Sequence, residues 1–313
     1  MPMQFVLMTE PHLGMSYADL LGAAKFADEA GLEGFARSDH FLFPRNTAAH
    51  ATEAFATLAG LARETSRVEL IVLVAPITFR HPAVLAKAAT TIDEMSGGRL
   101  SLGVGTGWME DEHATYGLDF PDLGVRFEMM EEALGYLWHA FGRKAGPFEG
   151  NHYRFDGTEV HPRPTGTIPL IVGGSGEKRT PRLAGTYADE YNFGHRPVEA
   201  IRLRIGRARA AAEKAGRDPD ALRISVMTSV AAGVDEDGFR RVLARIAEAD
   251  PMGRDAETLE KLMKERNIPM GTADQVREEV AALEEAGVHR FYAQHLGPFD
   301  REVLEELFAA LRG

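Results

Sequence analysis

Short apolar runs alternate with amphipathic stretches along almost the whole chain. Residues 68–74 (VELIVLV) are nearly all aliphatic, as expected of a parallel strand that is buried on both faces. The next stretch, Pro82–Met95, places its apolar residues on one stripe, which predicts an amphipathic helix. A strand followed by a helix is therefore the unit that the pattern predicts.

The same alternation predicts eight strands and the helices between them. The predicted strands are Gln4–Met8, Gly34–Arg37, Val68–Val74, Leu100–Val104, Ile168–Val172, Glu190–Phe193, Leu222–Val230 and Val288–Ala293. The predicted helices are Ser16–Ala30, Thr52–Glu64, Pro82–Met95, Leu123–Phe141, Glu177–Tyr187, Val198–Ala215, Asp235–Ala249, Gly271–Ala286 and Arg301–Leu311. Units of this kind close into an α/β (β/α)8 TIM barrel, because right-handed crossovers bury both faces of every strand. The alternative is a doubly wound open sheet. That fold carries a glycine-rich fingerprint after its first strand, which Met8–Gly14 lacks.

Two segments interrupt this alternation. Residues 142–167 are rich in glycine, proline and aromatic side chains, which predicts an inserted loop or hairpin before the fifth strand. Residues 250–270 separate two helices after the seventh strand. Extra segments of this length in a barrel often cover the catalytic mouth. We therefore expect a single domain over residues 1–313 with two insertions.

Composition narrows the function classes. Hydrophobic residues make up 44% and charged residues 26%, which is typical of a globular protein. The chain has no cysteine, so disulfides, iron–sulfur clusters and thiol nucleophiles are excluded. A net charge of −12 argues against a nucleic-acid partner. Neither a signal peptide nor an apolar stretch of the roughly 20 residues that span a bilayer is evident, so we expect a cytoplasmic protein with a small-molecule partner.

Two strand ends carry candidate groups for chemistry, because the active site of a barrel lies at the carboxyl ends of its strands. Asp39 and His40 follow the second strand, and a carboxylate beside an imidazole suits proton transfer near neutral pH. A loop in which Asp39 caps a turn is the alternative. The glycine-rich turn 103–107 and Trp108 follow the fourth strand and predict a pocket wall, although tryptophan also serves in plain core.

The turn after the fifth strand is the strongest local signal. Residues 173–176 (GGSG) offer backbone amides at the start of a helix, where phosphate and carboxylate groups bind well. Lys178 adds positive charge beside this turn. A tight barrel turn without a ligand is the alternative. Residues for other barrel chemistries are missing, since the first strand has no His-x-His metal motif and no strand carries a Schiff-base lysine. We therefore expect no metal.

Three blocks of the sequence resemble one known family. Residues 80–108 (RHPAVLAKAATTIDEMSGGRLSLGVGTGW) resemble the hallmark segment of luciferase-like flavin and deazaflavin oxidoreductases. Residues 38–41 (SDHF) and 168–192 resemble two further blocks in the same order. Residues 107–134 are most similar to the branch that depends on coenzyme F420, a deazaflavin. The resemblance covers nearly the whole chain and implies a (β/α)8 barrel, often a homodimer, with the cofactor at its mouth.

The resemblance also implies roles for individual residues. His40 would be the acid or base near the reacting carbon, and Asp39 would hydrogen-bond the cofactor. Val72 and Leu73 match the position of a non-proline cis peptide bond behind the cofactor ring. The remaining cofactor contacts would be Gly105, Thr106, Gly107, Gly173, Gly174, Ser175, Gly176 and Lys178.

One departure bears on the substrate. Sugar-phosphate dehydrogenases of this branch carry a catalytic glutamate where this chain has Trp108, which argues against a sugar phosphate. Glu110 and Glu112 are the candidate substitutes. The resulting hypothesis is an F420-dependent oxidoreductase acting on a small organic molecule, with His40, Asp39, Trp108 and Glu110 in its catalytic site. The alternatives are an FMN-dependent luciferase-like monooxygenase and a flavin-binding barrel without catalysis.

Overall fold

Eight parallel strands close into a barrel in the computed structural model, which describes residues 2–313. They are β1 (Gln4–Thr9), β2 (Gly34–Arg37), β3 (Glu69–Pro76), β4 (Leu100–Gly105), β5 (Leu170–Gly173), β6 (Glu190–Gly194), β7 (Arg223–Ser229) and β8 (Arg290–His295). Strand β1 pairs with β2 on one side and β8 on the other, which closes the ring. The predicted (β/α)8 barrel is confirmed, and the open-sheet alternative is wrong.

The helices surround the strands in alternating order. They are α1 (Tyr17–Glu29), α2 (Ala54–Glu64), α3 (Pro82–Ser96), α4 (Glu110–Tyr116), α5 (Leu123–Ala140), α6 (Arg179–Tyr187), α7 (Val198–Lys214), α8 (Glu236–Glu248), α9 (Ala256–Glu265), α10 (Ala273–Glu285) and α11 (Arg301–Arg312). Ser16 and Asp19 form the capping box that starts α1, with the Asp19 amide donating to Ser16 Oγ at 3.2 Å. Thr272 and Gln275 form the second predicted box. No helix in residues 2–313 is both long and apolar enough to cross a membrane.

Both insertions contain regular structure. In the first, Phe148–Glu149 pairs antiparallel with Arg154–Phe155, so the predicted hairpin is present. In the second, helix α9 begins after Asp255, whose side chain accepts a hydrogen bond from the Thr258 amide. The sequence analysis did not identify α9, nor the short helix α4.

The amino end of the barrel is closed by a buried cluster of charges. The Arg290 guanidinium lies 3.1 Å from Glu190 and 2.8 Å from Glu69, and the Tyr292 hydroxyl donates to Glu190 at 2.7 Å. Although burial disfavours the cation, these carboxylates raise the pKa of Arg290 above its ordinary value. An apolar layer that includes Met8, Ile71 and Leu73 separates this cluster from the carboxyl end.

Candidate active site

The carboxyl ends of the strands surround a cavity of about 1040 Å³. His40, which follows β2, and the turn 173–176, which follows β5, line this same cavity. Predicted residues that also line it are Leu73, Gly105, Thr106, Gly107 and Trp108. The two features that carried the sequence-based hypothesis thus face one common space.

His40 is held by a carboxylate from another part of the chain. Its Nδ1 atom lies 2.8 Å from Oε2 of Glu112, which belongs to α4 and is 1% exposed. The other Glu112 oxygen accepts hydrogen bonds from the amides of Phe41 (2.5 Å) and Leu42 (3.3 Å). Glu112 therefore fixes both the imidazole and the loop that carries it, and it leaves Nε2 of His40 for a ligand.

This contact also sets the charge of the pair. Burial disfavours the imidazolium, but the hydrogen bond and the charge of Glu112 outweigh burial and raise the pKa of His40. Burial likewise disfavours the Glu112 carboxylate, yet the His40 contact and the two amides lower the pKa of Glu112. The arrangement therefore favours a charged imidazolium–carboxylate pair on the cavity wall.

Glu110, the glutamate named in the sequence-based hypothesis, does not line the cavity. It is the first residue of α4 and is exposed, whereas Glu112, two residues later, points inward. Successive helical residues are about 100° apart, so Glu110 and Glu112, two positions apart, differ by about 200°. Only one of these two side chains can therefore face the site. Glu112 is the residue that contacts His40.

A second histidine lies against His40. His12, in the short turn Pro11–Leu13 after β1, has its ring centroid 4.6 Å from that of His40. Its Nδ1 atom is 3.5 Å from Oε2 of Glu10. Burial lowers the pKa of His12 to about 4, so this imidazole is neutral at neutral pH. The sequence analysis did not name His12 as a site residue.

Asp39 does not face the cavity. Its carboxylate is buried and paired with Arg80, with Arg80 Nη2 at 3.1 Å from Oδ1, and Arg80 also bonds Glu53 at 2.5 Å. Burial raises the pKa of Asp39, against the opposing charge of Arg80. Asp39 and His40 point to opposite sides of the chain, as neighbours on an extended segment do. Asp39 therefore anchors the loop and does not line the site.

The cis peptide bond that the family resemblance implies in β3 lies one residue later than expected. The non-proline cis peptide joins Leu73 to Val74, not Val72 to Leu73. Val72 is fully buried among residues that face the helices and does not line the cavity. Leu73 and Val74 line it.

The Val74 side chain explains why positions 105 and 173 are glycine. A Cβ atom at Gly105 would lie 2.6 Å from Val74 Cγ2, and one at Gly173 would lie 2.6 Å from Val74 Cγ1. Both distances are shorter than side chains tolerate. Glycine at these positions therefore makes room for Val74, and Val74 projects across the cavity floor between β4 and β5.

The turn 174–176 has a different requirement for glycine. Gly174 has φ +150°, and a Cβ atom at Gly176 would lie 2.6 Å from Thr180 Oγ1. The Gly174 amide donates to the Asn192 carbonyl at 3.1 Å, so the amides left for an anion are those of Ser175 and Gly176. Arg204 of α7 supports the turn from outside the cavity, since its Nη2 donates to the Ser175 carbonyl at 3.3 Å and lies 3.7 Å from Glu177 Oε1. Lys178 is exposed and does not line the cavity.

Trp108 and Ser38 complete the site near His40. Trp108 is 70% exposed at the mouth, with its ring edge-on to His40 at 5.6 Å between centroids. The Ser38 hydroxyl is buried, lines the cavity and has no hydrogen-bond partner within residues 2–313. Buried polar atoms without a partner are rare, and one that faces a cavity suits a ligand.

The sequence of residues 3–290 matches the family described as luciferase-like monooxygenase. The chain belongs to the luciferase-like family. One curated relative is the F420-dependent glucose-6-phosphate dehydrogenase of Nocardia farcinica, which is 29% identical over 306 residues, or 92% of this chain and 90% of the relative. Another is pyrimidine monooxygenase RutA of Allorhizobium ampelinum, 30% identical over 218 residues, or 67% of this chain and 57% of the relative.

The extent of these matches varies. The chain spans 66%, 51% and 48% of the length of three further F420-dependent glucose-6-phosphate dehydrogenases. Among solved structures of the luciferase-like fold, an F420-dependent secondary alcohol dehydrogenase in complex with an F420–acetone adduct superposes with a TM-score of 0.81. That alignment covers 100% of both chains at 22% identity, and it shows the common fold.

Proposed function

We propose that this luciferase-like protein is a coenzyme F420-dependent oxidoreductase that transfers a hydride between the deazaflavin and a small organic substrate. The observation that carries the proposal is one shared cavity, in which His40, bonded at Nδ1 to Glu112, faces the glycine turn 173–176. The turn suits an anionic tail, and the imidazole suits proton transfer.

The residues of the cavity fit a deazaflavin. The volume of about 1040 Å³ is at the upper end of ordinary ligand sites and leaves room for a ring and a substrate together. Leu73 and Val74 offer an apolar wall to a planar ring, and the unpartnered Ser38 hydroxyl offers a polar contact. The amides of Ser175 and Gly176 with Arg204 behind them suit a phosphate. When bound, the deazaflavin supplies the hydride chemistry.

The protein's own contribution is to hold one proton at a defined atom. Because Glu112 occupies Nδ1, His40 exchanges a proton with the substrate through Nε2. The raised pKa keeps this imidazole protonated to higher pH than a free histidine, which suits it to protonate a substrate during reduction. The same atom accepts the proton when the reaction runs in reverse.

We propose that the substrate is not a sugar phosphate, although several relatives are named for glucose 6-phosphate. Trp108 stands beside His40. Of the three arginines that line the cavity, Arg126 already donates to the carbonyls of Gly107 (2.5 Å) and Pro121 (2.9 Å), Arg196 donates to the His195 carbonyl at 2.8 Å, and Arg45 contacts Met252. Arg126 also lies 3.9 Å from the Phe120 ring. A substrate phosphate would have to compete with these contacts.

A second candidate is an FMN-dependent monooxygenase, supported by the similarity to pyrimidine monooxygenase RutA over 67% of this chain. Separate titrations of the purified protein with F420 and with FMN, followed by cofactor fluorescence, test the two. We expect F420 to bind at least about tenfold more tightly than FMN. Tight binding of FMN alone would favour the monooxygenase, and F420 binding without turnover of alcohols, ketones or sugar phosphates would favour a non-catalytic barrel.

We further propose a cytoplasmic homodimer, the commonest form of soluble oligomer. Light scattering of the purified protein should give twice the mass of the chain, and cell fractionation should recover it in the soluble fraction. A monomeric mass at micromolar concentration would contradict the dimer.

A further inference from the structure

Two imidazoles stand side by side on one wall of the cavity. The His12 and His40 rings are 4.6 Å apart between centroids and inclined by 51°. Each has its own carboxylate, with Glu10 3.5 Å from His12 and Glu112 2.8 Å from His40. These four residues come from the ends of two neighbouring strands and from α4, and all of them line the cavity.

His12 has no role in the function proposed above. It is only 7% exposed, yet its Nδ1 atom makes no hydrogen bond to any residue from 2 to 313. Buried polar atoms without a hydrogen bond are rare in proteins, so this one calls for a physical explanation. Its place beside the proposed proton-transfer residue points to a ligand.

The surroundings of the two rings favour the neutral form of His12 and the protonated form of His40. Burial, together with the charges of His40 and Arg37, lowers the pKa of His12 to about 4, against the opposing effect of Glu10 and Glu112. For His40, Glu112, Glu10 and Asp39 together overcome burial and raise the pKa. The wall therefore presents a neutral imidazole beside one whose protonated form is favoured by its surroundings, and a neutral imidazole offers one donor and one acceptor.

The rest of this wall is mainly apolar. Phe43 lies 6.3 Å from the His12 ring and Trp108 lies 5.6 Å from the His40 ring, both measured between centroids. Leu13 and Leu296 also line the cavity. Two adjacent imidazoles surrounded by these apolar side chains suit an uncharged ligand that carries one oxygen function.

We propose that His12 is a substrate-contacting residue, and that His12 and His40 together bind the single hydroxyl or carbonyl oxygen of a neutral, largely apolar alcohol–ketone pair. This inference rests on the proposed function, because that oxygen is attached to the carbon that exchanges the hydride. On oxidation, His40 starts as the neutral imidazole with Nε2 unprotonated. The carbon–hydrogen bond breaks, the hydrogen passes with both bonding electrons to the deazaflavin, and the hydroxyl proton passes to Nε2 of His40. Reduction of the ketone reverses both transfers.

Two substitutions separate hydrogen bonding from packing. His12→Phe keeps a ring against His40 and Phe43 but removes both nitrogens, whereas His12→Gln keeps a neutral donor and acceptor. With F420 and cyclohexanol as probes, we expect His12→Phe to raise KM about tenfold, the equivalent of one hydrogen bond, and His12→Gln to recover most of that loss. The Kd for F420 should stay unchanged in both. His161→Ala, at an exposed histidine far along the chain, should match the wild type.

A second readout does not depend on turnover. In histidine-labelled protein loaded with F420, adding cyclohexanone should shift the NMR signals of His12 and His40 and leave those of His161 in place. Unshifted His12 signals would overturn the inference. It would also fail if His12→Phe had wild-type KM while His12→Gln was impaired, since that order reports packing, or if His12→Phe weakened F420 binding tenfold.

The outcomes also separate this inference from the function on which it rests. If the wild type binds no F420, the proposed function fails. If it binds F420 but neither binds nor converts cyclohexanol or cyclohexanone, the alcohol–ketone class fails while the oxidoreductase proposal stands. Turnover of glucose 6-phosphate that is insensitive to His12→Phe would have the same meaning.

Discussion

At the amino end of the barrel, Arg290 is enclosed by Glu69, Glu190 and Tyr292, and each of these groups has a partner within hydrogen-bond distance. At the carboxyl end, His40 is bonded at one nitrogen, and within residues 2–313 neither Ser38 Oγ nor His12 Nδ1, which lies 3.5 Å from Glu10, makes a hydrogen bond. Both ends of the barrel bury polar groups. A satisfied cluster stabilises the fold, whereas polar groups left open on a cavity wall mark the place for a ligand.

The sharpest test of this comparison is His40→Ala. Loss of the proposed proton-transfer group should lower kcat by about 10²- to 10⁴-fold, because general acid–base catalysis contributes that much. The Kd for F420 should change little, whereas the free energy of unfolding should fall, because the buried Glu112 loses His40 and keeps the hydrogen bonds from the Phe41 and Leu42 amides. Stopped-flow turnover measures kcat and fluorescence titration measures Kd. A kcat near that of the wild type would remove His40 from the mechanism.

At the opposite end, Arg290→Met should act on stability instead. It removes the cation beside the partly buried Glu69 and leaves the buried Glu190 with the longer contact to Arg223 at 3.4 Å, which should cost about 3–5 kcal/mol of unfolding free energy. Urea denaturation measures the loss. Arg182→Met is the matched control, because Arg182 pairs with Glu131 at the surface and should cost about 0–1 kcal/mol. Equal losses in the two variants would show that the cluster does not stabilise the barrel.

Glu112→Gln should change the pH dependence of the reaction. Because the charge of Glu112 raises the pKa of His40, its removal should lower that pKa and move the limb of the kcat/KM profile governed by His40 to lower pH. We expect about a tenfold fall in kcat/KM on the alkaline side for the reduction. Glu110→Gln, at the exposed glutamate two residues away, should leave the profile in place. A shift shared by both variants would argue for a general effect of charge.

The smallest expected effect is on cofactor affinity. Gly176→Ala places a Cβ atom 2.6 Å from Thr180 Oγ1, so the turn must shift and its amides lose their aim at the phosphate. We expect the Kd for F420 to rise about fivefold. Gly206→Ala, in α7 with no atom within 4 Å of the added Cβ, should leave the Kd unchanged. Identical affinities in all three proteins would remove the turn from the cofactor site.

The sequence was a good guide wherever the signal was local. The aliphatic run at β3 and the capping boxes at Ser16 and Thr272 predicted their elements, because periodicity and capping depend on neighbours in the chain. The ends of β2, β4 and β5 likewise directed attention to His40 and the two glycine turns. Barrel geometry then brings those distant segments to one cavity.

What the sequence could not provide was long-range pairing. Glu112 is 72 positions from His40, and no local pattern distinguishes it from the exposed Glu110. Asp39 was predicted to meet the cofactor, but Arg80, 41 positions away, takes its carboxylate. Helix α9 did carry a usable signal, since Leu259 and Met263 are spaced four apart and Asp255 precedes them as an N-cap.

The position of Trp108 gives the protein a reporter of its own. The chain has two tryptophans, and the other, Trp138, donates from Nε1 to the Tyr187 carbonyl on the outer helices. Only Trp108 stands at the cavity mouth, in edge-on contact with the His40 imidazole. In a Trp138→Phe background, the emission of one indole would therefore follow both ligand entry and the ionisation of His40, without any label.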